Sequence, residues 1–249
     1  MKDKGIIKNN IIEFASDYSY FHIDDLRKFL MLQDIEFSQS NLKSYLYYLK
    51  QKKMLYSAGR GWYSKLNFKF SLNKIPLKNI ISIIKNKFPE LDFWGWSTEQ
   101  IKDFFLHVPF RFLIFLYTRE EFMQYMKDLL IEREYIVYTN PSKKEAEKFV
   151  SIKEKTVIIR PLVRIRQRVS HFASIEKILI DFCFEIKKIN LIDMEEYKHI
   201  LTEILTHYLI NIANMMDYAH ERKIKEKIVS ILQEVNIIPM RHFLKKPQK

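Results

Sequence analysis

Three patterns in the sequence have the residue types and spacing of covalent or metal chemistry. His199, Glu203 and His207 recur at i, i+4 and i+8 of one predicted helix, a spacing that can present metal ligands along one face. Glu196-Tyr197-Lys198 and Glu221-Arg222-Lys223 have the Glu-x-Lys form that nucleases combine with an aspartate on a strand. Cys183 is the one thiol. Each has a plainer reading. Ile200, Ile204 and Tyr208 form an apolar stripe beside the two histidines, which makes them the polar edge of a packed helix. Both Glu-x-Lys triplets fall on predicted helices with no strand aspartate to join them. Cys183 lies within the periodicity of Ile178, Leu179, Phe182 and Ile186 and reads as core. His107, after Phe104-Phe105-Leu106, reads as a packed or capping histidine. No Asp-x-Asp pair of the nucleotidyltransferase kind occurs, and no P-loop. The expectation is a protein that is not an enzyme and needs no metal or cofactor.

The chemistry that the sequence does favour is recognition of phosphate. The chain has 249 residues and a formal net charge of +12. That charge is concentrated. Residues 37–89 carry eleven Lys and Arg and no Asp or Glu. Residues 151–170 hold six basic groups against one acidic. A long window without one carboxylate suits a surface that meets a polyanion, with nucleic acid the first candidate.

Helical and turn patterns position the basic window. Ile7, Ile11 and Phe14 predict a helix over 5–16, and Leu26, Phe29 and Leu30 predict another over 22–32 with Asp24 as cap. Leu42, Tyr45, Leu46 and Leu49 give a third helix over 39–53, capped by Ser38 or Ser40. Met54–Ser57 and Trp62–Ser64 are short β-prone runs around a turn that holds two of the four glycines, Gly59 and Gly61. Three helices followed by a hairpin is the order of a winged helix-turn-helix. On a helical wheel Ser40, Ser44, Tyr47 and Gln51 point away from the apolar stripe. Lys43 and Lys50 flank one side, Tyr48 and Lys52 the other. Arg60 marks the hairpin tip. Those types suit base edges and phosphates, so these nine residues are the candidate DNA-binding set.

Residues 71–249 form the second predicted domain after 1–70. Strands at 91–96, 112–117, 135–138 and 156–160 alternate with helices at 77–87, 99–106, 119–134 and 143–148, an α/β layer. Helices at 174–189, 193–219 and 222–235 complete a predicted α+β fold. Arg160, Arg164, Arg166 and Arg168 form a second basic patch that would extend the DNA footprint or receive an acidic partner or RNA.

Gly61-Trp62-Tyr63, Trp94-Gly95-Trp96-Ser97-Thr98, Phe104, His107, Phe112 and Ser174-Ile175-Glu176-Lys177-Ile178-Leu179-Ile180-Asp181 occur in an order that resembles the AbiEi-type antitoxins of type IV toxin–antitoxin systems. The resemblance spans most of the chain, and the Glu-Lys-Ile-Leu-x-Asp stretch is its most specific piece. Trp94–His107 departs from the small-residue run found there in better-known members. The resemblance implies a winged helix that represses its own operon on DNA repeats. It also implies a C-terminal part that opposes a nucleotidyltransferase-like toxin, typically without a stable complex. Glu176 or Asp181 is expected to meet an arginine of the 160–168 segment.

A repressor of this kind is one of three readings. A nuclease or nucleic-acid-modifying enzyme using the winged helix to hold substrate is the second, and a protein–protein adaptor the third. A homodimer on paired half-sites fits the first. The opening MKDKGIIKNN lacks the apolar core of a signal peptide. His107, Pro109 and Arg111 interrupt the greasiest stretch, Phe104–Tyr117. A cytoplasmic protein with no membrane partner is expected.

Overall fold

Helix α1 (Asp3–Asp17) opens a computed structural model that describes residues 3–162, 170–189 and 191–240, with side chains from residue 6 onward. Strand β1 (Tyr20–His22) leads into α2 (Ile23–Leu32), which a capping box starts. The His22 ring accepts from the Asp24 amide at 3.3 Å, and the Asp25 carboxylate accepts from the His22 amide at 3.4 Å. The cap is therefore His22, two residues before the expected Asp24. Helix α3 (Gln39–Gln51) starts at Ser38, whose hydroxyl accepts from the Asn41 amide at 3.1 Å. Strands β2 (Tyr56–Ser57) and β3 (Trp62–Ser64) follow. β3 lies between β1 and β2 and is antiparallel to both. The sequence pattern missed β1, because three residues give too little alternation to distinguish a strand. Ile7, Ile11 and Phe14 of α1, Leu26 and Leu30 of α2, and Leu42, Leu46 and Leu49 of α3 form one buried cluster with Phe21 and Leu55. The helical spacing of each stripe is what brings the three helices onto one core.

Helix α4 (Ile75–Lys87), with Pro76 in its first turn, begins a second set of elements. It is followed by β4 (Phe93–Ser97), β5 (Leu113–Thr118), α5 (Met123–Ile131), β6 (Ile136–Thr139), α6 (Lys143–Phe149), β7 (Thr156–Pro161) and α7 (Ile175–Ile189). The sheet order is β4-β5-β7-β6, with β4 antiparallel to β5 and the other pairs parallel. Strands buried on both faces must be apolar throughout, which accounts for Leu113–Tyr117 and Val157–Ile159. Leu116, Val157 and Ile159 pack with Leu77, Ile80, Ile84, Met126 and Leu130 of α4 and α5. On the other face Trp96 stacks on Phe115 at 4.4 Å and meets Phe182 of α7 edge-on at 5.9 Å. At Gly95 a Cβ would stand 2.6 Å from a Leu116 methyl and 2.9 Å from the Phe115 carbonyl oxygen, so the β4–β5 approach requires glycine.

Two expected helices are shorter and tighter. Thr98–Phe104 is a 3₁₀ segment in which Ile101 leaves helical geometry, in place of a helix to Leu106. The expected helix over 119–134 is a 3₁₀ turn, Glu120–Phe122, then α5, closed by Glu134 in the left-handed region at φ +63°.

The expected single helix over 193–219 is two, α8 (Met194–His207) and α9 (Ile212–Glu221), with α10 (Lys225–Glu234) after them. Distant groups take the backbone between α8 and α9. The Leu209 amide donates to the Phe68 carbonyl at 2.6 Å. The buried Tyr20 hydroxyl donates to the Tyr208 carbonyl and accepts from the Ile210 amide. Asn211 then caps α9 through the Asn214 amide at 3.1 Å. No glycine or proline marks the break, so it has no local signal.

The architecture is mixed α+β and divides into two units. One joins the chain up to Phe70 with the chain from Leu201 onward, and the other is Ser71–Ile200. Sequence patterning grouped 201–249 with the second part, whereas β1 is bonded to the chain's last described turn through the Tyr20 amide and the Ile237 carbonyl at 3.0 Å. Among the described residues no helix is long and apolar enough to cross a membrane.

Candidate nucleic-acid interface

The site is built on α3. Leu42, Leu46 and Leu49 are buried to 1% exposure or less, and this fixes the helix's rotation on its core. The polar face must then point outward. Ser40, Lys43, Ser44, Tyr47, Tyr48, Lys50, Gln51 and Lys52 are all exposed, and so is Arg60 at the turn. Tyr47 is 61% exposed, so its ring and hydroxyl face solvent. Among the described residues none of Lys43, Lys50, Lys52 and Arg60 has a carboxylate within ion-pair distance. The hydroxyls at the helix start are partly committed. Ser44 donates to the Ser40 carbonyl at 3.0 Å, and the Ser38 and Ser40 hydroxyls are 3.0 Å apart. In this arrangement Ser44 offers lone pairs outward rather than its proton.

The turn bearing Arg60 is held from both sides. Gly59 and Gly61 have φ of +105° and +77°. A Cβ on Gly61 would lie 2.4 Å from the His22 ring, and the Gly61 carbonyl accepts from the Ile23 amide at 2.9 Å. A Cβ on Gly59 would lie 2.3 Å from the Asn211 side-chain oxygen and 2.5 Å from the Ala213 Cβ. The Ala213 amide donates to the Ala58 carbonyl at 3.3 Å. The α9 N-terminus thus buttresses the turn, and Arg60 is presented from a fixed backbone.

Lys8 of α1 was not among the residues expected here. Its ammonium lies 4.1 Å from the centroid of the Tyr48 ring, and that of Lys52 lies 5.9 Å from it. The adjacent Lys8 ammonium, and more weakly the charge of Lys52, hold the Tyr48 phenol below the usual tyrosine range. The pairing has no local signature, since forty residues and a change of element separate the two.

The second basic patch is not one surface. Arg160 on β7 is 2% exposed. Its Nε and Nη2 donate to the two carboxylate oxygens of Glu185 on α7 at 2.9 and 2.5 Å. Its Nη1 donates to the Pro141 carbonyl at 2.7 Å and to the Asn140 side chain at 3.2 Å. The guanidinium is thus consumed inside the fold with Glu185 as its carboxylate partner, while the expected pairing of Glu176 or Asp181 with Arg164, Arg166 or Arg168 lies outside the described residues. Arg164, Arg166 and Arg168 lie outside the described residues.

The remaining chemical candidates are placed as follows. His207 Nδ1 is 2.8 Å from the Glu203 carbonyl and 3.7 Å from its carboxylate. Among the described residues no three His, Cys, Asp or Glu are grouped as metal ligands. The Glu196 carboxylate accepts from the Leu106 amide at 2.7 Å. Cys183 is buried, and burial, with Cys183 adding to it, pushes the Tyr197 hydroxyl well up while that hydroxyl donates to the Leu179 carbonyl at 3.0 Å.

No curated protein matches the chain. A family model described only as a family of unknown function, DUF6577, matches residues 41–238, from the first turn of α3 to just beyond α10. That span takes in most of the chain, and the protein belongs to this family of unknown function.

Proposed function

We infer that the chain binds double-stranded DNA through α3 and the 58–61 turn and acts as a transcriptional repressor. The observation that carries the reading is the exposed face of α3, where the lysines have no carboxylate partner among the described residues and two tyrosines stand in solvent. Cations free of internal partners keep their full charge for phosphates, and serine, tyrosine and amide side chains at the same face suit base edges. The element order α1-β1-α2-α3-β2-β3 and the sheet order β1-β3-β2 support a winged helix, with α3 as recognition helix and Arg60 at the wing tip.

The resemblance to AbiEi-type antitoxins extends the proposal. The repressor would act on repeats in its own operon and oppose a nucleotidyltransferase-like toxin, without a stable complex of the two proteins. A homodimer would let two heads engage paired half-sites.

Fluorescence anisotropy of the full chain on duplexes from the region upstream of its own gene tests the DNA reading. Sub-micromolar binding that weakens steeply with salt is expected. Salt-insensitive binding to a protein with none to DNA would favour an adaptor instead. Growth rescue by co-expression with a neighbouring nucleotidyltransferase-like gene tests the antitoxin role.

A further inference from the structure

We propose that Lys8, Tyr48 and Lys52 form a phosphodiester clamp at the edge of the α3 face, separate from the residues that read bases. The inference rests on the DNA-binding reading and names a backbone contact within it.

Three observations converge on this place. Lys8 stands over the exposed Tyr48 ring at 4.1 Å, so an α1 side chain is drawn to the face of α3. Lys52, one turn after Tyr48, also stands over the same ring, at 5.9 Å from its centroid. Among the described residues no carboxylate lies within ion-pair distance of either ammonium. A solvent-exposed helix ordinarily pairs its lysines with acids three or four positions away. Here the two cations are gathered on an aromatic ring instead, which leaves their charge unneutralised.

The chemistry of the group fits a phosphate oxygen. Each ammonium has three donors, and the phenol has one. The ring's negative face would restrain Lys8 without using up the N–H donors that a phosphate oxygen needs. That restraint lowers the rotamer entropy lost when a phosphate is taken. On the wheel, Tyr48 and Lys52 flank the Ser40–Ser44–Tyr47–Gln51 line, where a helix in the major groove meets the phosphates lining it. A contact of this kind fixes register and carries no sequence information.

The test compares the full chain with Lys8→Ala, Lys8→Arg, Tyr48→Phe and Tyr48→Ala, on a selected tight-binding duplex and on random duplex, across a salt series. Lys43→Ala serves as the reference for the DNA reading itself. Circular dichroism melts show that each variant is folded. Lys8→Ala is expected to weaken both duplexes severalfold and by the same factor, and to lower the log–log salt slope by about 1. Lys8→Arg retains the slope. Tyr48→Ala reproduces the Lys8→Ala loss, and Tyr48→Phe gives a smaller one because the ring remains. If Lys8→Ala and Tyr48→Ala both match wild type while Lys43→Ala weakens binding, the clamp is wrong and the α3 reading stands. If the folded wild-type chain binds neither duplex, both fall. A Lys8→Ala loss confined to the tight-binding duplex would make Lys8 a specificity contact and also overturn the clamp.

Discussion

The face of α3 and the start of the 160–168 segment look alike as sequence, both rich in cations, yet the side chains have opposite fates. Lys43, Lys50 and Lys52 are exposed and have no carboxylate partner among the described residues, whereas Arg160 is inside the fold with Glu185 clamped across its guanidinium. The difference lies in what flanks each cation. The lysines alternate with a leucine stripe that takes the buried side of the helix. Arg160 is the penultimate residue of a strand whose own residues are buried on both faces, and its side chain is buried with them. A buried guanidinium requires a carboxylate, and Glu185 supplies it from twenty-five residues away. Charge density along a chain therefore identifies a binding surface only where the element carrying it has a solvent face.

Breaking the Arg160 side of the comparison has the largest expected effect. Glu185→Ala leaves an uncompensated buried guanidinium and should cost about 3–5 kcal/mol, seen as a large fall in the midpoint of thermal or urea unfolding. An unchanged midpoint would mean that Arg160 reaches solvent. Leu46→Ala comes next, at about 2–5 kcal/mol, because it opens a cavity among α1, α2 and α3. Urea unfolding followed by circular dichroism checks it.

Surface changes sharpen the other side. Tyr47→Ala or Gln51→Ala should leave the melt unchanged and cost about 1–3 kcal/mol on a selected duplex, with little loss on random DNA. A retained specificity ratio in both would remove α3 as the reading helix. The smallest effect is expected from Lys43→Ala, Lys50→Ala or Arg60→Ala. Each should weaken every duplex alike and lower the salt slope by about 1, read by anisotropy.

Much of α3 was legible in advance, because its rotation depends only on Leu42, Leu46 and Leu49, and those three at helical spacing leave one face for solvent. The alternation of strands and helices from 91 to 160 was legible for the same reason. What escaped depends on partners far along the chain. Tyr20 belongs to a three-residue strand and bonds residues at 208, 210 and 237, so neither β1 nor the break between α8 and α9 has a local signature. The same contacts join residues beyond 201 to the N-terminal unit, where Asn211 and Ala213 brace the turn carrying Arg60. Lys8 on Tyr48 likewise appears only once α1 and α3 share a core. The buried Arg160 guanidinium has no local signature because Arg160 and Glu185 are on different elements.

The DNA-binding proposal requires the α3 face to receive a polyanion. Its most direct test is a salt titration of the intact chain on duplex DNA, with wild type beside the charge reversal of Lys43→Glu with Lys50→Glu. A log–log slope of several units is expected for wild type, and in the folded reversal a loss of binding on tight-binding and random duplexes alike. A flat wild-type titration, or a folded reversal that binds as tightly as wild type, would contradict it.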